Sequence, residues 1–282
     1  MGKITVTQIR KMKDLGEKIT MVTAYDYPSS LLADRAGIEM LLVGDSLGMV
    51  VLGYPNPVQV TMEDIIHHTK AVTRASKNSF VVADMPFMSY RISREQALTN
   101  AGRLIQEGGA DAVKLEGGKE VAHIVRDITS SGIPVQAHIG LMPQRASVGD
   151  TFKIQGKDAQ TAKSIIEDAV TLESAGAFSV VLEFVTAETA SVITNKLGIP
   201  TIGIGSGLSC DGQVLILHDI LGVYDEAPSF AKPYVNLNKI IVDSLSNFRK
   251  EVKNLEFPSE DYIVHMEKIE AEKLIEKKEE LN

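Results

Sequence analysis

The sequence predicts a single (β/α)8 barrel, and three observations carry that reading. Short apolar runs of strand length alternate with helical segments eight times, with no break in composition between them. Several of these runs, Met40-Leu41-Leu42-Val43 above all, are apolar at both parities, as strands covered on both faces are. A partial internal repeat is the third. Gly37-Ile38-Glu39, Gly109-Ala110-Asp111 and Gly176-Ala177-Phe178 each lead from a helix end into a strand, and seven residues on from each glycine stand Gly44, Glu116 and Glu183. Length alone, 282 residues, admits one barrel or two smaller domains; the unbroken alternation favours one closed barrel over residues 1–257, followed by a charged extension at 258–282.

Taken in order, Val6–Leu15 has the pattern of a short amphipathic helix, placed to cover the barrel floor. Residues 18–24 form the first strand, Tyr25-Asp26-Tyr27-Pro28 its polar exit, and Pro28 suits the first turn of a helix to residue 36. The second strand stops at Gly44-Asp45-Ser46 and opens into a long loop, 46–60, of a length that usually covers a site. Thr61 caps a helix to residue 76. The third strand, 79–83, ends in Asp84, and Ser93 with Gln96 predicts a capping box for a helix to residue 107. The fourth strand, 111–115, ends in Glu116; a helix over 120–130 leads to a fifth strand, 135–137, ending in His138. A polar loop at 142–156 precedes a long helix, 158–174. The sixth strand, 178–182, ends in Glu183, and Thr186 is placed to cap the next helix. Gly198-Ile199-Pro200 opens the seventh strand, residues 214–217 read as the eighth, and residues 236–252 read as the last barrel helix.

Bulk properties exclude several functions. A net charge of −8, from 29 basic and 37 acidic residues, with no basic stripe interleaved with aromatics, argues against nucleic acid. One cysteine, Cys210, permits neither an intrachain disulfide nor a cysteine metal site, and it lacks the basic neighbour of a reactive thiol. No run of about 18 apolar residues suggests a membrane span, and residues 1–10 lack an apolar signal core, so a cytoplasmic location is expected.

Chemistry is concentrated at the strand ends. Asp45, Asp84 and Glu116 end the second, third and fourth strands, neighbours in a barrel, where parallel α/β folds place their sites. A lone strand-end acid usually caps a helix or stays solvated. Three at one rim repel one another unless a cation or a proton intervenes, and an oxygen-only set suits Mg²⁺. Lys114 shares the parity of Glu116 and so faces the same side, placed for a substrate carboxylate, and Ser46 adds a hydroxyl. Glu183, two strands on, could serve as a general base or as a cap. His138 reads as a hydrogen-bond partner for the site. Gly203–Gly207 is only a weak phosphate-loop signal, and His67-His68 reads as exposed helix surface.

Seven segments in order, Thr23-Ala-Tyr-Asp-Tyr27, Val43-Gly-Asp-Ser-Leu-Gly48, Thr61-Met-Glu-Asp-Ile-Ile-His-His68, Ala83-Asp-Met-Pro-Phe87, Val113-Lys-Leu-Glu-Gly-Gly118, Pro134-Val-Gln-Ala-His-Ile-Gly-Leu141 and Gly203-Ile-Gly-Ser-Gly207, resemble the 3-methyl-2-oxobutanoate (ketopantoate) hydroxymethyltransferase family across residues 3–258. The resemblance implies Mg²⁺ among Asp45, Asp84 and Glu116, and substrate contacts from Asp45, Ser46, Asp84 and Lys114. It makes Glu183 the base and 5,10-methylenetetrahydrofolate the co-substrate. It also implies a homo-oligomer, decamers occurring in the family; charge and hydropathy, as above, lead to the expectation of no nucleic-acid or membrane partner. Two other readings stand beside it: another Mg²⁺ barrel enzyme on a 2-oxo acid, akin to phosphonopyruvate mutase or isocitrate lyase, and a non-enzymatic ligand-binding barrel. Against the lyases, Cys210 sits in Ser209-Cys210-Asp211, not in the lyase nucleophile loop.

Overall fold

A computed structural model of the chain describes residues 2–146 and 153–279. Met1, part of the expected polar loop at 142–156 and the last three residues of the charged tail lie outside the described residues. The elements run α1 (Val6–Leu15), β1 (Ile19–Thr23), α2 (Tyr27–Arg35), β2 (Met40–Val43), α3 (Leu47–Val50), α4 (Met62–Ala75), β3 (Phe80–Asp84), α5 (Arg94–Gln106), β4 (Ala112–Glu116) and α6 (Ala122–Ser130). They continue with β5 (Val135–Gly140), α7 (Pro143–Ala146), α8 (Ala159–Ser174), β6 (Ser179–Glu183), α9 (Ala187–Lys196), β7 (Thr201–Ile204), β8 (Gly212–Leu215), α10 (Leu217–Leu221), α11 (Leu237–Lys253) and α12 (Lys268–Glu279). The eight strands pair in parallel and in sequence order, and β8 closes on β1.

Local chemistry sets the helix starts. Thr5 and Gln8 form a capping box on α1, and Gly16, at φ 70°, supplies the left-handed residue that ends it. Asp26 caps α2 with Pro28 in the first turn, and Thr61 with Asp64 boxes α4. Alternation then sorts the strands. Ile19, Met21, Met40, Leu42, Phe80, Val82, Phe178, Val181 and Val214 point inward and plug the barrel, with fully buried Ile9 of α1 packed against them from below. The opposite parity, Leu41, Val43, Val81, Ala83, Val113 and Leu115, packs outward on the helices. The floor is thus sealed, and apart from Gln136 and Ser179, which hydrogen-bond inside the barrel at 2.9 Å, the inward polar side chains gather at the C-terminal end.

The sequence reading needs correction at several points. β8 begins two residues earlier than expected, and Leu217 already belongs to α10. Ser93 accepts from Gln96 N at 3.1 Å, but the Gln96 side chain takes Ile92 N, one residue short of closing the box. The Thr186 hydroxyl donates to the Gly156 carbonyl (2.9 Å) and caps no backbone N–H of α9. The long loop after β2 contains α3 and a 3-10 turn at Pro57–Gln59. Most consequential is α11: none of its residues is buried, so it does not serve as the eighth barrel helix within this chain. A groove of about 640 Å³, walled by α2, the outer faces of β1 and β8, and α10, remains where that helix was expected.

Candidate active site

Register brings the polar residues level. Asp84 pairs with Lys114 across the β3–β4 ladder, and Glu116 with His138 across β4–β5. Inward parity follows from the plug below: Phe80, Val82 and then Asp84 on β3; Ala112, Lys114 and Glu116 on β4; Val181 and Glu183 on β6. All four, with Asp45, Ser46 and His138, line one cavity of about 170 Å³ at the barrel mouth. The structure therefore brings every expected site residue together.

Their contacts are close. Lys114 Nζ lies 2.7 Å from Asp84 Oδ1 and 3.4 Å from His138 Nδ1. The Asp45 backbone N–H donates to Asp84 Oδ2 (2.9 Å), tying the ends of β2 and β3. His138 stands between two acids, its Nε2 3.1 Å from Glu183 Oε2 and its Nδ1 3.6 Å from Glu116 Oε1.

Three participants escaped the sequence reading. Gln144, in α7, donates from Nε2 to Asp45 Oδ2 (2.8 Å) and from its backbone N–H to Glu116 Oε2 (3.2 Å). Tyr90 donates to Gln144 Oε1 (2.8 Å) and so fixes that amide. Neither carries a sequence signal, because a glutamine or tyrosine in a loop is common. Tyr25 Oη is 2.8 Å from Ser46 Oγ; its place directly after β1 was the available clue. His68, read as exposed helix surface, is half-buried with Nδ1 2.5 Å from the Tyr25 carbonyl, whereas His67 is exposed. Ser206, in the glycine-rich loop, accepts from Val185 N and donates to the Leu182 carbonyl, a structural role between β6 and the loop after β7. Cys210 is buried, and burial pushes its thiol up.

One ammonium faces four acids. Burial, then the charge of Asp84, pushes the Asp45 carboxyl up to about 7, against the pull of Lys114 and Gln144. Glu116 is held well above the usual carboxylate range by burial and then by Asp45. Burial alone would lower Lys114, but Asp84, Glu116 and Asp45 hold it above the ordinary lysine value, so it stays charged. Burial raises Tyr25 and keeps it a hydroxyl.

The residues fit a hard cation. Asp84 Oδ1 is buried, and although Lys114 lies at 2.7 Å no aligned hydrogen bond reaches it. The donors are oxygens, and the acids carry more negative charge than Lys114 offsets. Among the described residues no three acid, histidine or cysteine side chains are already gathered into a coordination sphere. An oxygen-only donor set is what Mg²⁺ takes, with water and substrate oxygens completing its sphere.

A closed barrel with a sealed floor and a charged, buried rim defines a (β/α)8 enzyme working at the C-terminal ends of its strands. The family model described as ketopantoate hydroxymethyltransferase matches residues 3–260. The chain belongs to that family, and it is an enzyme. Curated relatives named 3-methyl-2-oxobutanoate hydroxymethyltransferase include those of Carboxydothermus hydrogenoformans, 55% identical over 93% of this chain and 95% of that one, and Syntrophus aciditrophicus, 56% identical over 92% and 96%. Among solved structures, a phosphonopyruvate hydrolase in complex with oxalate and Mg²⁺ shares the fold, with a TM-score of 0.57 at 13% identity, covering 99% of this chain and 98% of that one. Among the described residues no helix is long and apolar enough to cross a membrane.

Proposed function

We propose that this enzyme transfers the one-carbon unit of 5,10-methylenetetrahydrofolate to C3 of 3-methyl-2-oxobutanoate, giving 2-dehydropantoate for pantothenate synthesis. The observation that carries the reading is Glu183, which reaches the cavity with His138 at 3.1 Å and shares it with Lys114, Asp84 and Asp45. Lys114 neutralises the substrate carboxylate, and Ser46, oriented by Tyr25, binds the same small acid. Asp45, Asp84 and Glu116 would hold Mg²⁺, which when bound supplies Lewis-acid polarisation of the 2-oxo group. The oxalate and Mg²⁺ named in the phosphonopyruvate hydrolase complex likewise pair a small carboxylate with a hard cation.

Glu183 takes the C3 proton, and the resulting electron pair forms the new bond to the one-carbon unit. That carbon leaves both folate nitrogens, which take up protons, and water supplies the hydroxyl of the product. The His138 ring, 3.1 Å from Glu183 Oε2, packs beside the carboxyl and limits where it can sit.

The test separates proton removal from transfer. Wild-type protein with Mg²⁺ in D₂O should exchange the C3 proton without folate. Glu183→Gln should slow that exchange at least about a hundredfold, within the range of general-base effects. Undiminished exchange would remove Glu183 from the role.

The assembly is proposed as homo-oligomeric. Ile241, Leu245, Phe248 and Val252 form an exposed apolar stripe on α11, and the groove over β1 and β8 is apolar and uncovered. A second copy of the chain supplies cover for both.

A further inference from the structure

The half of the mouth formed by β2 to β6 holds Asp45, Asp84, Lys114, Glu116, His138 and Glu183. The half formed by β7 and β8 differs in kind. Ile204, Leu215, Ile216, Pro228, Phe230 and Pro57 wall it, and the Phe230 ring stands 5.5 Å from that of Phe184, the residue after Glu183. One acid enters these apolar surroundings: Asp219, in the first turn of α10, which lines the cavity and is 8% exposed. Among the described residues, no donor hydrogen-bonds its carboxylate and no cation pairs with it. Other buried acids are treated otherwise: Asp34 accepts from Lys77, Asn78 and Ser79, and Asp45 from Gln144. A carboxylate that borders a cavity and takes no donor from the chain is left with its accepting capacity directed at whatever occupies that cavity. Burial pushes the Asp219 carboxyl up, as expected of an acid without donors.

The two reactants make opposite demands. The keto acid is an anion and belongs with Lys114; a second carboxylate repels it. The one-carbon donor presents a flat ring whose amino-pyrimidinone edge offers two adjacent N–H donors, a match for the two oxygens of a carboxylate. We propose that Asp219 anchors the pterin of the one-carbon donor by accepting from its N3–H and 2-amino groups, with the ring over the apolar half beside Phe230. This rests on the reaction proposed above. Such an anchor leaves the methylene carbon facing the keto acid and puts the two substrates on opposite walls of one mouth.

Asp219→Asn, matched in size, tests it, with thermal melting to verify the fold. The expected result is a KM for methylenetetrahydrofolate raised about tenfold or more, the loss of one charge-assisted pair. Folate-free C3 proton exchange, and addition of free formaldehyde in place of the folate, should fall far less. In wild-type protein, a tetrahydrofolate analogue lacking the 2-amino group should bind about tenfold more weakly than tetrahydrofolate. The Asn variant should lose that discrimination. An unchanged folate KM, or exchange and transfer falling together, overturns the anchor while leaving the reaction intact. If wild-type protein exchanges the proton yet forms no product from methylenetetrahydrofolate, the proposed reaction fails, and the anchor with it.

Discussion

Replacing Asp45 with Asn should make the metal-free protein more stable at pH 8, although it removes a residue from the centre of the site. The carboxyl is 6% exposed and is pushed from 3.8 up to about 7, first by burial and then by Asp84. A folded-state value above the unfolded one means that the group's stabilising share is complete below pH 3.8 and is lost as the pH climbs through about 7. At 1.36 kcal/mol per tenfold change in proton affinity, the loss approaches about 4 kcal/mol by pH 8, a ceiling because the neighbouring acids titrate together with Asp45. Asn keeps an oxygen for the Gln144 amide, which donates to Asp45 at 2.8 Å, and carries no charge. We expect the variant to gain about 2 kcal/mol over wild type in urea melts at pH 8 with chelator, with the gain vanishing toward pH 4. Mg²⁺ should reverse the order by stabilising wild type, about 2.7 kcal/mol at a hundredfold excess over Kd, and the variant far less. A variant that is less stable at pH 8 without metal, or a gain equal at both pH values, would refute the picture of Asp45 as an ion held against its own repulsion.

Two further outcomes follow from other parts of the fold. Asp34 is 7% exposed and accepts from the backbones of Lys77, Asn78 and Ser79 and from the Asn78 and Ser79 side chains, so Asp34→Ala should cost about 3 kcal/mol or more in urea melts at pH 7. Burial works to raise Asp34, but those donors hold it below the usual carboxylate value, so its contribution should persist above that value and fade only as the pH drops through the lowered one. On α11, Leu245→Glu with Phe248→Glu places charge on residues that are 62% and 53% exposed, and sedimentation should show a smaller assembly with the single-chain circular dichroism retained.

Much of the barrel was legible because two periodicities and the glycine joins recur along the chain. The inward parity of Lys114 and Glu116 and the floor-covering role of α1 both follow from side-chain alternation or helical amphipathicity alone. What escaped is what depends on distance in space. Gln144 meets Asp45 across 99 residues of sequence, and no local pattern announces such a contact. Asp219 could be seen as a residue after the last strand, but its isolation from donors is visible only once its surroundings are assembled. The misplaced role of α11 has a different cause. Its apolar stripe is that of a barrel helix, and periodicity says that a face must be covered without saying which molecule covers it.

The uncovered wall also sets an order in which the barrel comes apart. The β7–β8 ladder has two paired positions, Ile202 with Gly212 and Gly203 with Gln213, the fewest of the eight seams. It adjoins the wall over β8 and β1, whose outer face lacks a helix from its own chain. In a dissociated chain water therefore needs to displace least at β8, and amide protons there should exchange with solvent sooner than those of β4 or β5, which are buried, Gly140 apart, beneath α5, α6 and α8. The strand that carries the chain into Asp219 is thus the one most readily loosened, on the side of the mouth opposite the acids.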